Sequence, residues 1–165
     1  EERSMMEEVR VGMADYKVCT SPAVLSTLGL GSCVGVALYD QGKDMCGLAH
    51  VMLPDSTRMN GEVNRCKFAD TCLLDMKKEL IGKGADPSRL AAKIAGGAKM
   101  FSFISDNSML NIGDQNIEAV KRWLSEWNIP ILASDVGKNY SRSIYFDSSS
   151  KMLRIRAVGM GEYSI

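Results

Sequence analysis

The sequence has one histidine, no excess charge of either sign and no long apolar run. Twenty basic residues balance twenty acidic ones, so the formal net charge is zero. Proteins that bind a nucleic-acid backbone usually present a basic surface, and nucleic acid is therefore not predicted as a partner. A membrane-spanning helix needs roughly 18 or more consecutive apolar residues. Direct insertion into a membrane is therefore not predicted.

The cysteines do not form a recognisable framework. They are an odd set without any Cys-x-x-Cys pair, namely Cys19, Cys33, Cys46, Cys66 and Cys72. Disulfide-rich domains have even sets of cysteines, and zinc sites have closely spaced pairs. We therefore expect free thiols. With one histidine and no visible carboxylate cluster in the sequence, no metal ion is predicted.

Glycine-rich motifs do not indicate a cofactor either. Gly29-x-Gly31 misses the third glycine of the dinucleotide-binding fingerprint and runs on into a predicted strand. Gly96-Gly97 is not followed by the Lys-Ser/Thr of a phosphate-binding loop, so a tight turn is the better interpretation. The acidic start at 1–4 does not have the basic and then apolar regions of a signal peptide. A cytoplasmic protein without a cofactor is expected.

Length and composition suit one globular domain. The 165 residues are 45% apolar and 24% charged, close to average usage for soluble domains. Neither a linker nor an internal repeat divides the chain, so residues 1–165 are predicted to be a single domain. The first eight residues show no periodicity and are predicted to be disordered or a remnant of expression.

The spacing of apolar residues predicts a hairpin, two helices and further strands. Apolar residues alternate over 33–39, turn residues follow at 40–43, and a second apolar run covers 46–53. Helical spacing begins at Ala69 and again near Asp114, and Gly82 and Pro130 mark where these helices have ended. The other predicted strands are 90–95, 131–135, 143–147 and 151–158. Helices packed on a mixed, mainly antiparallel sheet, an α/β fold, are expected.

His50 has two interpretations. As the one histidine in the chain, it must serve any reaction that needs an imidazole near neutral pH. Its apolar neighbours between Leu48 and Met52 equally suit a buried structural histidine whose ring nitrogens are hydrogen-bonded. Sequence position alone favours the structural interpretation.

Cys33 and Thr27 offer partners for such an imidazole. Cys33 follows Gly29-Leu30-Gly31-Ser32, a turn of small residues on which a nucleophile and the backbone N–H donors of an oxyanion site are often mounted. A buried, inert thiol is the usual alternative, and helical spacing predicts that role for Cys72. Thr27 could hydrogen-bond the second imidazole nitrogen as the third member of a triad, or it could be an ordinary strand residue.

Two motifs together resemble the chemoreceptor glutamine deamidases of the CheD family. They are Thr27-Leu28-Gly29-Leu30-Gly31-Ser32-Cys33-Val34 and Ala49-His50-Val51-Met52-Leu53-Pro54. Segments 93–101, 111–113 and 135–137 look like later family segments in the same order, so the resemblance extends from about Val11 to Ile165. The chain departs from the family pattern at Gln115, Lys138 and Tyr140-Ser141, and these departures bear on substrate fit more than on catalysis.

The resemblance implies a site and a fold. In it Cys33 is the nucleophile, His50 the general base and acid, and Thr27 the residue that orients the imidazole. Backbone N–H groups around Gly31 and Ser32 form the oxyanion site. The implied fold is a three-layer α/β sandwich, with two main helices packed on mixed, mostly antiparallel β-sheets, similar to the catalytic domain of cytotoxic necrotizing factor toxins.

The resemblance also implies a function. The expected reaction converts receptor glutamine side chains to glutamate plus ammonia through a cysteine thioester, in chemotaxis adaptation. The expected partners are the cytoplasmic helices of methyl-accepting chemoreceptors, as substrate, and a CheC-type phosphatase. A module that binds receptors or this phosphatase with little catalysis is one alternative. A glutaminase for another protein substrate, or transfer to an amine in place of water, is another.

Overall fold

The computed structural model describes residues 6–58, 64–100 and 111–165. These residues form ten strands and two α-helices, together with short 3-10 turns. The strands are β1 (Glu7–Arg10), β2 (Asp15–Cys19), β3 (Ala23–Leu30), β4 (Val34–Asp40), β5 (Cys46–Val51), β6 (Leu90–Gly96), β7 (Ile131–Val136), β8 (Arg142–Asp147), β9 (Leu153–Ala157) and β10 (Gly161–Ser164). The helices are α1 (Ala69–Gly82) and α2 (Ile112–Glu126).

The strands form two five-stranded sheets. The outer sheet has the order β1-β3-β8-β9-β10, and the inner sheet has the order β2-β5-β4-β6-β7. Pairing is parallel between β1 and β3 and between β6 and β7. The other pairs are antiparallel, which confirms the mixed, mostly antiparallel prediction.

Two apolar cores hold three layers together. One core lies between the helices and the inner sheet, where Leu73 and Met76 of α1 and Val120 of α2 pack against Val36 and Ile94. The second core fills the gap between the two sheets. Every residue of β4 and β5 is buried because both faces of the inner sheet are covered. The predicted helix-on-sheets sandwich is confirmed, and neither α-helix in the described segments is long and apolar enough to span a membrane.

The structure corrects one prediction at the start of the chain. Glu7 and Glu8 pair in parallel with Ala23 and Val24, so the prediction of disorder over 1–8 is wrong for these two residues. Their order comes from a partner strand distant in sequence, which the local pattern does not reveal. Residues 1–5 lie outside the described residues.

The structure also corrects the prediction for two cysteines. Cys66 and Cys72 form a disulfide, whereas Cys19, Cys33 and Cys46 are free as predicted. Cys66 lies in the 3-10 turn before α1, and Cys72 lies in the helix itself. The chain folds back between them, so two residues without a recognisable pair spacing meet in the helix-facing core. Cys72 is buried there, as its helical spacing predicts.

Candidate active site

The hairpin of β4 and β5 brings Cys33 and His50 to its open end. In this ladder Gly35 is directly opposite His50 and Val34 is opposite Val51. Because side chains alternate along a strand, Cys33 shares a face with Gly35 and is the diagonal neighbour of His50. Diagonal pairs are typically about 7 Å apart. Cys33 packs against the core between the sheets, so this face points toward the outer sheet.

Thr27 approaches His50 from the outer sheet. It lies on β3, is fully buried, and its Oγ1 is 2.7 Å from His50 Nδ1. The same hydroxyl donates to the backbone carbonyl of Val11 at 2.8 Å. A threonine hydroxyl has one proton, so a hydroxyl that donates to Val11 must accept from His50 Nδ1–H. Neutral His50 therefore carries its proton on Nδ1 and its lone pair on Nε2.

The Nε2 atom is the ring position left for chemistry. His50 is 1% exposed, and its Nε2 makes no hydrogen bond within the described segments. Burial lowers the pKa of His50 and raises the pKa of the half-buried Cys33 thiol. Both shifts disfavour the charged forms, so burial favours a thiol and a neutral imidazole over a thiolate and an imidazolium.

Backbone hydrogen bonds hold the turn that carries Cys33. The carbonyl of Gly31 accepts from Ala98 N–H at 2.8 Å, and the carbonyl of Cys33 accepts from Gly97 N–H at 2.7 Å. Gly96 and Gly97 have φ values of +111° and +68°, which side-chain-bearing residues rarely adopt. A Cβ on Gly96 would also overlap the Cys33 carbonyl. Gly96 is the last residue of β6, and the described residues 97–100 form no turn, so the prediction of a tight turn at Gly96-Gly97 is wrong. The two glycines instead support the turn that carries Cys33.

Two exposed apolar side chains belong to segments next to the site residues in the chain or in space. Leu28 follows Thr27 and is 42% exposed, and Met100 is 43% exposed. Met100 also covers Gly31, where an added Cβ would lie 3.5 Å from its side chain. Exposed apolar side chains mark a binding surface when they form a contiguous patch.

Two contributors to the site were missed by sequence reasoning. The Val11 carbonyl that receives the Thr27 proton is a backbone group and has no sequence signal. Asn116 donates from Nδ2 to the carbonyls of Ser32 and Met52, each at 2.9 Å. Its signal is a polar residue on the apolar face of α2, beside Ile117.

The three departures from the family pattern lie around this end of the molecule. Gln115 helps to line a cleft of about 560 Å³ that also includes Pro54. Lys138 adopts a φ of +64°, and its carbonyl accepts from Lys99 N–H. The Tyr140 ring lies 4.6 Å from the buried Arg142 guanidinium. Phe101, the last residue of the third resembling segment, lies outside the described residues.

The fold and the site define the chain as a two-sheet α/β protein with a thiol, an imidazole and a hydroxyl at one open strand end. A model of the family described as CheD chemotactic sensory transduction matches residues 52–157. A probable chemoreceptor glutamine deamidase CheD of Lachnoclostridium phytofermentans is 51% identical over 161 residues, covering 98% of this chain and 100% of that protein. The chemoreceptor glutamine deamidase CheD of Halalkalibacterium halodurans is 52% identical, with the same coverage. The chain belongs to the CheD family.

The family model and the relatives cover different parts of the site. The matched segment begins at Met52, after Thr27, Cys33 and His50, whereas the two relatives extend over nearly the whole chain. Among solved structures, the Bacillus licheniformis hypothetical protein YfiH is similar over 73% of this chain and 49% of that chain. Its TM-score of 0.45 and 15% identity are too low to carry an argument.

Proposed function

We propose that this chain is a chemoreceptor glutamine deamidase in which Cys33, His50 and Thr27 act as a triad. The observation that carries the proposal is the hydrogen-bond chain from His50 Nδ1–H through the Thr27 hydroxyl to the Val11 carbonyl. That chain fixes the imidazole tautomer in which Nε2 is a proton acceptor, as a general base requires. The relatives' names support glutamine as the substrate side chain.

The first half of the reaction forms a thioester. Nε2 of His50 takes the Cys33 proton as the sulfur attacks Cδ of the substrate glutamine, and the amide oxygen becomes an oxyanion. Backbone N–H groups of the turn at Gly31, Ser32 and Cys33 would stabilise that charge. The imidazolium returns the proton to the amide nitrogen, the C–N bond breaks, and ammonia leaves.

The second half of the reaction restores the enzyme. His50 takes a proton from a water molecule, whose oxygen attacks the thioester carbon. The C–S bond breaks, the Cys33 sulfur recovers a proton from the imidazolium, and glutamate remains on the substrate. An amine in place of water would give the transglutamination product, so hydrolysis requires that water reaches the thioester first.

Recognition of the substrate would use the exposed apolar side chains near the site. Leu28 and Met100 offer contact to the apolar face of a receptor helix whose glutamine reaches Cys33. The cytoplasmic helices of chemoreceptors are the proposed substrate. Regulation by a CheC-type phosphatase, a cytoplasmic location and a single domain over 1–165 stay predictions. A purely binding role would not require that Nε2 of His50 lack a hydrogen-bond partner within the described residues.

The test is deamidation of a purified receptor cytoplasmic fragment by the full chain, read out by intact mass and by ammonia release. Cys33→Ala and His50→Ala are expected to abolish both signals while the circular dichroism spectrum stays that of the wild type. Cys19→Ala removes a different free thiol and should keep the wild-type rate. Wild-type activity in either folded site variant would refute the triad, and reaction with an added amine would reveal transfer chemistry.

A further inference from the structure

Asn116 joins the two strand ends that carry the site. It lies in the second turn of α2, is fully buried, and its Nδ2 donates to Ser32 O and to Met52 O at 2.9 Å each. Ser32 directly precedes Cys33, and Met52 follows His50 by two residues. One side-chain amide from the helix layer therefore contacts both halves of the hairpin.

Asn116 contacts the hairpin at the point where the pairing of β4 with β5 ends. The β4–β5 ladder ends with the pair Val34 and Val51, and the next pair in the same register would be Cys33 and Met52. That pair is not part of the ladder. Beyond this last pair, the Asn116 amide donates to the carbonyls of Ser32 and Met52. These two hydrogen bonds replace strand pairing at the end of the hairpin where a substrate would enter.

The bond to Ser32 has a consequence for the Cys33 N–H. A trans peptide is planar, and its C=O and N–H groups point in opposite directions. Holding the Ser32 carbonyl toward Asn116 therefore turns the Cys33 N–H away from the helix. No hydrogen bond within the described segments uses this N–H as a donor, although the Cys33 carbonyl is bonded to Gly97.

We propose that Asn116 is a positioning residue for deamidation: by holding the Ser32 carbonyl, it orients the Cys33 N–H to donate to the oxyanion. The inference rests on the proposed function, since it assigns a donor for the same reaction. The bond to Met52 anchors the amide so that its second hydrogen reaches Ser32. Asn116 acts through the peptide and does not touch the substrate.

Stability alone does not explain this residue. Its Oδ1 is buried without a hydrogen-bond partner in the described part of the chain, and such a group weakens folding. Its neighbours on the same helix face are apolar, as Ile117 and Val120 show. An amide at this place is useful because it carries two donor hydrogens, one for each carbonyl.

The test distinguishes loss of the orientation of the Cys33 N–H from a general loss of stability or of access to the site. Asn116→Ala and Asn116→Asp both remove the donor, and Asp keeps the shape of the side chain. We expect each to lower kcat for the receptor fragment by about 100-fold with a nearly unchanged KM, since loss of an oxyanion donor typically costs about 100- to 1000-fold. Alkylation of Cys33 by iodoacetamide forms no oxyanion, so its rate should change by less than about threefold.

Val120→Ala is the matched control, because it removes buried side-chain volume from the same helix without touching the hairpin carbonyls. It should keep wild-type kcat even where its melting temperature equals that of Asn116→Ala. Equal kcat losses in the two variants, recovery of activity in Asn116→Asp, or parallel loss of alkylation and kcat would overturn the inference. An inactive wild type, or an active Cys33→Ala, would instead refute the proposed function.

Discussion

The two ends of the β4–β5 hairpin each carry a cysteine on the same face, and the two thiols differ in their surroundings. Cys46, at the turn end, is directly opposite Tyr39 and fully buried, and burial is the main cause that raises its pKa to about 12. Cys33, at the open end, is half-buried with His50 as its diagonal neighbour. The comparison teaches that the face of the sheet does not by itself set the burial of a thiol, because the ladder closes around Cys46 and ends before Cys33.

The turn end is closed by hydrogen bonds to the side chain and main chain of Asp40. The buried Asp40 carboxylate accepts from the N–H groups of Gly42 and Asp86, both at 2.8 Å, and Asp40 N–H donates to Met45 O. The open end instead depends on donors from other elements, Gly97 and Asn116. The closed end holds its thiol in the core, whereas the thiol at the braced, open end is half-buried.

The largest expected contrast is in alkylation of the two thiols. Cys33 should react with iodoacetamide in the folded protein at least about 1000-fold faster than Cys46, because Cys46 becomes accessible through local or global opening that costs several kcal/mol. Peptide mapping by mass spectrometry after timed alkylation gives both rates in one sample. Comparable labelling of Cys46 under native conditions would show that the turn end is not closed.

Loss of the orienting hydroxyl is expected to be the next largest effect. Thr27→Val keeps the shape but removes the bond to Nδ1, and kcat/KM for the receptor fragment should fall by about 10- to 100-fold, the range seen when a metal-binding histidine loses the partner that orients it. Thr27→Ser keeps the hydroxyl and should retain most of the activity. If Val and Ser variants are equally active, Thr27 does not set the tautomer of His50.

The pH dependence of activity tests the same comparison, because the proposed base, His50, lies at the open end. His50 must be neutral to act, and burial lowers its pKa. We therefore expect kcat/KM to rise with pH through an apparent pKa below the ordinary histidine value of about 6.5, and to fall about tenfold per pH unit below it. Burial raises the pKa of Cys33 and so lowers its thiolate fraction, and alkylation should therefore accelerate at alkaline pH.

A stability consequence accompanies this shift. Because the folded state favours neutral His50, the unfolded chain binds the proton more readily, and the free energy of unfolding should decrease as pH falls below about 6.5. Urea unfolding of wild type and His50→Gln between pH 5 and 8 checks this. An equal pH dependence in the two proteins would count against a depressed His50 pKa.

The smallest expected effect concerns the packing of α2 against Gly97 and Ala98, the residues whose N–H groups bond the Cys33 turn. A Cβ on Gly113 would lie 2.6 Å from the carbonyl oxygens of Gly97 and Ala98, so Gly113→Ala should cost about 1 to 3 kcal/mol of stability through overpacking. Gly82→Ala is the matched control, since that position has no neighbour within 4 Å and lies at the end of α1. Thermal unfolding of both variants measures the difference, and equal melting temperatures would contradict close packing at Gly113.

The sequence predicts those parts of the fold that have a local period. The hairpin and both helices follow from alternation and helical spacing, with α2 starting at Ile112, two residues before the predicted position. Strands β1, β2, β3 and β10 were missed. β1 and β10 are mostly exposed, with four residues each, and their identity as strands comes from partners elsewhere in the chain.

The residue types of the candidate site could be proposed from the sequence, whereas their geometry could not. The single histidine and the small-residue turn before Cys33 pointed to a thiol and an imidazole, and the resemblance supplied their roles. The contact between Thr27 and His50 depends on two different sheets facing each other, which no local pattern encodes. The disulfide of Cys66 and Cys72 was missed for the same reason, since a fold-back of the chain brings them together.

The position of the proton on the His50 ring depends on the Val11 carbonyl, which directly follows the edge strand β1 of the outer sheet. Because the acceptor belongs to the main chain, no replacement of the Val11 side chain can delete it. Peeling β1 away from β3 would remove it, and would free the Thr27 hydroxyl to donate to the imidazole and invert its tautomer. If the proposed triad is correct, an insertion or fusion that disturbs this edge strand would abolish activity while Cys33, His50 and Thr27 all remain in the chain.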